Sequence, residues 1–264
     1  MSANPLPTLP EFSLKGKVAV ITGGARGLGL EMSKALAESG ADVALMYVSS
    51  DKTHDIAAKI GKDYGVVCKA YKADIADAEQ VTTAIDQIYK DFGVIDIFVA
   101  NAGINSGGAA ETYDLKTWQK IMDVNVNGVF YSIQAVSKYM LAKGKGSIII
   151  TSSMSGHIAN RPQMQCAYNT SKGAATMMTK ALASEWALKG IRVNAICPGY
   201  MRTELLDETF KNNPEWEKTW TDLTPMGRIG DAKELRGAVV FLASEASTYV
   251  TGLELFVDGG YTCV

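Results

Sequence analysis

Seven short apolar runs rich in β-branched residues recur along the chain, and longer segments of helical period separate them. They are "KVAVIT" at 17–22, "DVALMY" at 42–47, "VVCKAY" at 66–71, "DIFVA" at 96–100, "SIIITS" at 147–152, "RVNAI" at 192–196 and "LELFV" at 253–257. Strands that alternate with helices are not joined by hairpins, so they run parallel, and a parallel sheet needs helices over both faces. The expected architecture is α/β: one domain built on a doubly wound, seven-stranded parallel sheet. Residues 114–142 and 167–188 read as long helices. Segment 200–230 breaks the rhythm with Pro, Gly and two tryptophans. It reads as a lid over the crevice beyond the strand ends, or else as an irregular packing or oligomer surface. The stretch "MSANPLPTLPEFS", residues 1–13, reads as a flexible arm ahead of a domain spanning 14–264.

With 264 residues, 47 % of them hydrophobic and 20 % charged, the chain has ample material for a core. Its formal net charge of -2 comes without a basic block, which argues against nucleic acid or an anionic membrane as partner and leaves a small, neutral ligand. Cys68, Cys166, Cys197 and Cys263 form no CxxC pair, and only two histidines are present. Neither a metal cage nor a disulfide framework is expected, and reduced thiols fit a cytoplasmic protein. No stretch has the continuous apolar length of a signal peptide or a membrane span.

The first strand runs into "TGGARGLG", where Gly23, Gly27 and Gly29 stand between strand and helix, with Arg26 and Leu28 among them. Glycines here permit the turn and let the backbone approach a pyrophosphate, whose charge then faces a helix N-terminus. The spacing is GxxxGxG, and a ligand-free turn has the same appearance. At the end of the second strand an acid would favour NAD by bonding a free ribose hydroxyl. The chain offers Tyr47 there, followed by the hydrogen-bonding Ser49 and Ser50, while Arg26 supplies a fork of donors suited to phosphate. NADP(H) is the expected cofactor, unless Arg26 is a solvated surface residue. Asp74 and Ile75 after the third strand are placed to cap the adenine edge. Asn101, Ala102 and Gly103 after the fourth are placed to bring backbone near the cofactor. Both groups also fit plain turn chemistry.

"YNTSK" at 168–172 sets a phenol and an ammonium one helical turn apart on the same face. A tyrosine of pKa about 10 exchanges protons poorly near neutrality, and a neighbouring cation favours its phenolate. Lys172 is therefore expected to lower the pKa of Tyr168 and to bond the nicotinamide ribose. In "TSSMSG" at 151–156, Ser153 is the expected donor to a substrate oxygen, with Ser152 and Ser155 left to packing or capping. His157 is a further candidate substrate contact. Asn125 sits awkwardly inside a helix with Gly128 after it, so a local distortion there could free a carbonyl to hold water and open a proton path to Lys172. A serine hydrolase is disfavoured: there is no GxSxG elbow, and neither histidine has an evident acid partner.

In matching order over residues 14–260, "TGGARGLG", "NAG", "VNVNG", "SS" followed by "YNTSK", and "VNAICPGYMRT" resemble the short-chain dehydrogenase/reductase family. The resemblance implies a Rossmann fold and the catalytic set Asn125, Ser153, Tyr168 and Lys172. It also places Pro198, Gly199, Met201 and Thr203 beside the nicotinamide. The C-terminal "LELFVDGGYTCV" is similar to the family's intersubunit segment, which implies a homotetramer. The phrase "SMSGHIANRPQMQCAYNTSK" more narrowly resembles fungal NADP-dependent polyol dehydrogenases and ketose reductases. The implied reaction is reduction of a ketose carbonyl by NADPH, with Ser153 and Tyr168 on the oxygen. Where that group often carries a basic residue after the second strand, this chain has Ser49 and Ser50, which leaves phosphate selectivity to Arg26. The alternatives are a reductase of other carbonyls, such as 3-oxoacyl thioesters or simple ketones, and an NADP-binding protein without turnover.

Overall fold

The computed structural model describes residues 9–50 and 52–263. Strands β1 (Val18–Thr22), β2 (Asp42–Tyr47), β3 (Cys68–Lys72), β4 (Ile97–Ala100), β5 (Gly146–Thr151), β6 (Ile191–Pro198) and β9 (Glu254–Val257) form one sheet, in the order β3-β2-β1-β4-β5-β6-β9. Every pairing in it is parallel. Two residues each of β7 (Met201–Arg202) and β8 (Gly230–Asp231) pair as a separate ribbon. The seven expected strands are all present, within two residues of their sequence positions at most ends.

Alternation along each strand feeds two cores. Val20 points into one and Ala19 and Ile21 into the other, so β1, β4, β5 and β6 are apolar and buried on both faces. One core lies under α3 (Ala78–Phe92), α5 (Val129–Lys143) and α6 (Cys166–Trp186). The other lies under α1 (Gly27–Glu38), α2 (Lys52–Tyr64) and α9 (Arg236–Ala243). The chain's end and start signals are local: Asp77 caps α3 through the Glu79 and Gln80 amides, and Gly93 closes it in the left-handed conformation.

The helix expected over 114–142 is α4 (Leu115–Met122) continuing into α5 through a π turn at Asp123–Gly128. The expected distortion around Asn125 is therefore present, as a widened turn of the kind that marks functional positions. It packs closely enough on the third strand's end that a side chain on Gly128 would come within 2.7 Å of the Ile75 carbonyl.

The segment 200–230 is more regular than its composition implies. It holds two helices, α7 (Glu204–Asn212) and α8 (Pro214–Leu223), between β7 and β8. Trp220 on α8 is buried, stacks on Tyr200 at 4.0 Å between ring centres, and donates its indole N–H to the Arg161 carbonyl and the Gln163 side chain. Of the arm expected over 1–13, residues 1–8 lie outside the described residues. Residues 9–13 are not loose: Pro10–Phe12 form a 3-10 turn, and the Phe12 ring stands 6.5 Å from that of Phe241 on α9. All four cysteines are free thiols. Among the described residues no helix is long and apolar enough to cross a membrane.

Candidate active site

The sheet order changes direction between β1 and β4, so the turns that follow these strands face one crevice at their carboxyl ends. After β1, Gly23 and Gly27 take φ values of +64° and +50°, which side-chain-bearing residues rarely adopt. Gly29 is required for a different reason: a Cβ there would sit 2.3 Å from the Gly23 carbonyl oxygen and 2.5 Å from Asn101 Nδ2. Gly29→Ala is expected to destabilise the protein by about 1–3 kcal/mol, as overpacked sites do, measured by urea unfolding against wild type.

Thr22 and Ser33, which the motif pattern does not single out, and Asn101, which it does, brace this turn with their side chains. Thr22 Oγ1 accepts from the backbone amides of Asn101 and Ala102, both at 3.0 Å. Ser33 donates to the Gly24 and Gly29 carbonyls at 2.9 and 2.8 Å. Asn101 Nδ2 donates to the Thr22 and Gly23 carbonyls, so its amide fastens the turn and does not face outward. Leu28 packs against the α1-side core.

Around the expected ribose end, Arg26 and Ser49 are exposed, and neither side chain has a hydrogen bond or ion pair among the described residues. Tyr47 occupies the end of β2 as expected, but its hydroxyl is taken up by His54 Nε2 at 3.0 Å. Ser50 uses its carbonyl to start α2 through Thr53. Asp74 folds one carboxylate oxygen back onto the Ala76 amide and follows β3 directly, while Ile75 is buried. Facing Gly27, a Cβ would meet only Thr203 Cγ2, at 3.8 Å, and Gly103 is an exposed strip of backbone. Bare backbone at a helix N-terminus, an unpaired guanidinium and an acid at the neighbouring strand end fit a phosphorylated dinucleotide.

Two of the residues expected at the end of β6 and beyond it use their side-chain positions for packing. A side chain on Gly199 would lie 2.7 Å from Asp258 Cα, so its smallness serves the fit against the end of β9. Met201 is buried in the α1-side core with its sulfur toward Gly230, which leaves only its backbone for a ligand. Pro198 pairs with Val257. Thr203 caps α7 through the Leu206 amide.

The reactive end forms where β5 stops and α6 begins. Tyr168 and Lys172 do share a face: Lys172 Nζ lies 5.6 Å from the Tyr168 ring centre and donates to the Thr151 carbonyl at 2.8 Å. Ser153 stands close enough to the Tyr168 hydroxyl to pull its pKa down, and its Oγ accepts from the Ser155 amide. Ser152 bonds Thr176 and the Lys172 carbonyl, which is a packing role. Asn125 is 1 % exposed and clamps the loop after β4 from both sides, accepting from the Ile104 amide and donating to the Ile104 carbonyl, each at 2.8 Å. Its amide also donates to Ser171, whose hydroxyl donates to the Tyr168 carbonyl. Asn125 and α6 are thereby locked together.

Two expectations need correction. The phenol of Tyr168 is not made more acidic: burial pushes its pKa up, and only the Ser153 hydrogen bond pulls it back. Lys172 points its ammonium at the Thr151 carbonyl, and burial lowers its own pKa from 10.5 to about 8. His157 turns away from the site. Its ring lies edge-on to Phe256 at 4.8 Å, with Nε2 3.3 Å from a Glu254 carboxylate oxygen and 3.4 Å from Thr176 Oγ1. A carboxylate and an aromatic ring on the last strand hold that imidazole.

A glycine turn at the switch point of a parallel sheet, with a phenol, an ammonium and a serine hydroxyl at the neighbouring strand end, defines a dinucleotide-dependent oxidoreductase. A family model described as enoyl-(acyl carrier protein) reductase matches residues 23–262. The chain is 48 % identical to sorbose reductase of Candida albicans, over 98 % of this chain and 95 % of that one. It is 43 % identical to the NADP-dependent mannitol dehydrogenase of Hypocrea jecorina, over 98 % of each. Among solved structures, the NADPH-dependent 3-quinuclidinone reductase of Rhodotorula rubra superposes with a TM-score of 0.92 and 38 % identity, covering 100 % of this chain and 98 % of that one. The protein belongs to the short-chain dehydrogenase/reductase family.

Proposed function

We propose that this protein reduces a ketose to the corresponding polyol with NADPH and runs the reverse oxidation. The pairs to test are L-xylulose and xylitol, D-fructose and mannitol, and L-sorbose and sorbitol. The observation that carries the reading is the meeting of Ser153, Tyr168 and Lys172 beside a side-chain-free glycine turn. The names of the sorbose reductase and mannitol dehydrogenase relatives support a sugar substrate.

The bound cofactor supplies the hydride. Tyr168 Oη donates the proton to the substrate carbonyl oxygen, and Ser153 Oγ holds the same oxygen where negative charge develops. A phenol kept protonated by burial suits the reductive direction. Lys172 Nζ, with its pKa lowered to about 8 by burial, restores that proton and bonds the nicotinamide ribose. Asn125 orders this arrangement through Ile104 and Ser171. Pro198, Gly199 and Thr203 border the nicotinamide through backbone and cap groups, and α7 with α8 serves as the substrate lid.

Selectivity for NADP(H) rests on Arg26 and on the lack of a carboxylate at residues 47–50. Arg26→Ala should cut the preference for NADPH over NADH, taken as a kcat/KM ratio, by about 10- to 100-fold, as loss of charge-assisted hydrogen bonds does. Equal KM values for the two cofactors in wild type would overturn the assignment.

The deciding experiment is an NADPH-oxidation screen over fructose, sorbose, xylulose, ribulose, diacetyl and an acetoacetyl thioester. A large kcat/KM advantage for ketoses is expected. The second reading, a reductase of non-sugar carbonyls, is favoured by the likeness to the quinuclidinone reductase, and it prevails if the ketone or thioester leads. The assembly is a homotetramer in the cytoplasm. The half-buried Leu255, Phe256 and Val257 on the edge strand support it, and sedimentation equilibrium tests it.

A further inference from the structure

We propose that Gln165 is a specificity-determining residue, the hub of an amide cluster that reads the hydroxyl groups of the substrate next to the reacting carbonyl. The inference rests on the ketose reading above. Gln165 holds the N-cap position of α6, three residues before Tyr168, yet its side chain makes no cap bond. Ser, Thr, Asn and Asp are the residues that cap helices well, so helix initiation does not account for a glutamine here.

Instead the side chain is turned into a polar cluster and is 8 % exposed. Its Nε2 faces three acceptors: Asn160 Oδ1 at 2.9 Å, Asn169 Oδ1 at 3.0 Å and Ser155 Oγ at 3.3 Å. An amide nitrogen has two hydrogens, so three acceptors exceed its supply. The nearer two take them, and Ser155 Oγ is left under-served. The Ser155 hydroxyl has no acceptor of its own among the described residues, although the residue is 5 % exposed. Gln165 Oε1, on the other side, has one long partner, Asn105 Nδ2 at 3.4 Å.

The cluster thus has a spare donor in the Ser155 hydroxyl and spare acceptor capacity at Gln165 Oε1, buried, two residues from Ser153 and three from Tyr168. Spare buried capacity is costly unless something fills it, and a group that donates and accepts at once fills it best. Successive hydroxyls of a sugar do so. A simple ketone does not, and leaves the same groups desolvated and unpaired. The cluster also reaches the lid, because Asn160 Nδ2 donates to the Tyr200 hydroxyl at 3.2 Å and Tyr200 stacks on Trp220. Filling the cluster therefore bears on a surface that α8 covers.

The test compares wild type, Gln165→Leu and Gln165→Glu in NADPH-coupled reduction of L-sorbose, D-fructose and L-xylulose, and of 2-hexanone, with NADPH affinity read by fluorescence transfer to confirm an intact fold. The isosteric glutamate keeps the shape and removes the donors. The ratio of kcat/KM for the best ketose to that for 2-hexanone is expected to fall by about 30-fold or more in both variants, mainly through a higher ketose KM. An unchanged ratio, with both substrates losing equally, would mean that Gln165 only positions Tyr168 and would sink the inference. If wild type itself prefers 2-hexanone, the ketose reading fails first, which separates the two outcomes.

Discussion

Tyr168→Phe lowers kcat for ketone reduction by about 10²- to 10⁴-fold, the range for loss of a general acid, with NADPH affinity unchanged. The hydroxyl contributes little to the ground state of the protein: its one described partner is Ser153, which keeps the Ser155 amide after the change. Unfolding free energy should therefore move by no more than about 1 kcal/mol. The loss falls on kcat because the phenol is needed when the carbonyl oxygen gains charge, not when substrate docks. Since burial raises the phenol's pKa, Tyr168 remains protonated through neutral pH and well above it. Reduction should then be flat with pH until the group that resupplies the proton titrates. Stopped-flow turnover near the wild-type rate would remove the phenol from the mechanism.

Lys172→Met carries the second large effect, and it acts in two directions at once. Activity should fall by about 10²-fold or more, because the proposed mechanism relies on the ammonium to restore the proton and hold the ribose. Stability should rise. A buried lysine whose pKa drops from 10.5 to about 8 is protonated more weakly in the folded than in the unfolded chain. The cost of burying the ammonium is fully present below pH 8 and is relieved as the pH climbs toward 10.5. Such a shift is worth up to ~3 kcal/mol, offset by the hydrogen bond to Thr151 that methionine cannot make. At pH 7 the variant should gain about 1–2 kcal/mol over wild type, and the gain should shrink toward pH 10. Urea melts at several pH values read this directly. A pH-independent loss of stability would contradict the assigned protonation state. In wild type the same group should give reduction an alkaline limb near pH 8, read from a pH profile of kcat.

Much of the site is legible in the linear chain because its signals are local. Short apolar runs rich in β-branched residues mark β1 to β6, a glycine turn marks the phosphate end, and the four-residue spacing of Tyr168 and Lys172 puts them over each other through helix geometry alone. The π turn at Asp123–Gly128 follows from an asparagine and a glycine placed where a helix tolerates neither well. Each of these depends on neighbours within about one turn or one strand.

What escaped a linear reading depends on partners far apart. Asn125 reaches Ile104 across 21 residues, and Trp220 reaches Gln163 across 57. Neither contact leaves a periodic trace. The direction of His157 was set by Glu254 and Phe256 on the last strand, and the charge state of the Tyr168–Lys172 pair by how deeply packing buries both groups. Spacing along the chain decided which side chains could meet. Desolvation and competing hydrogen bonds, which exist only once distant loops are brought together, decided which of them did and in what protonation state.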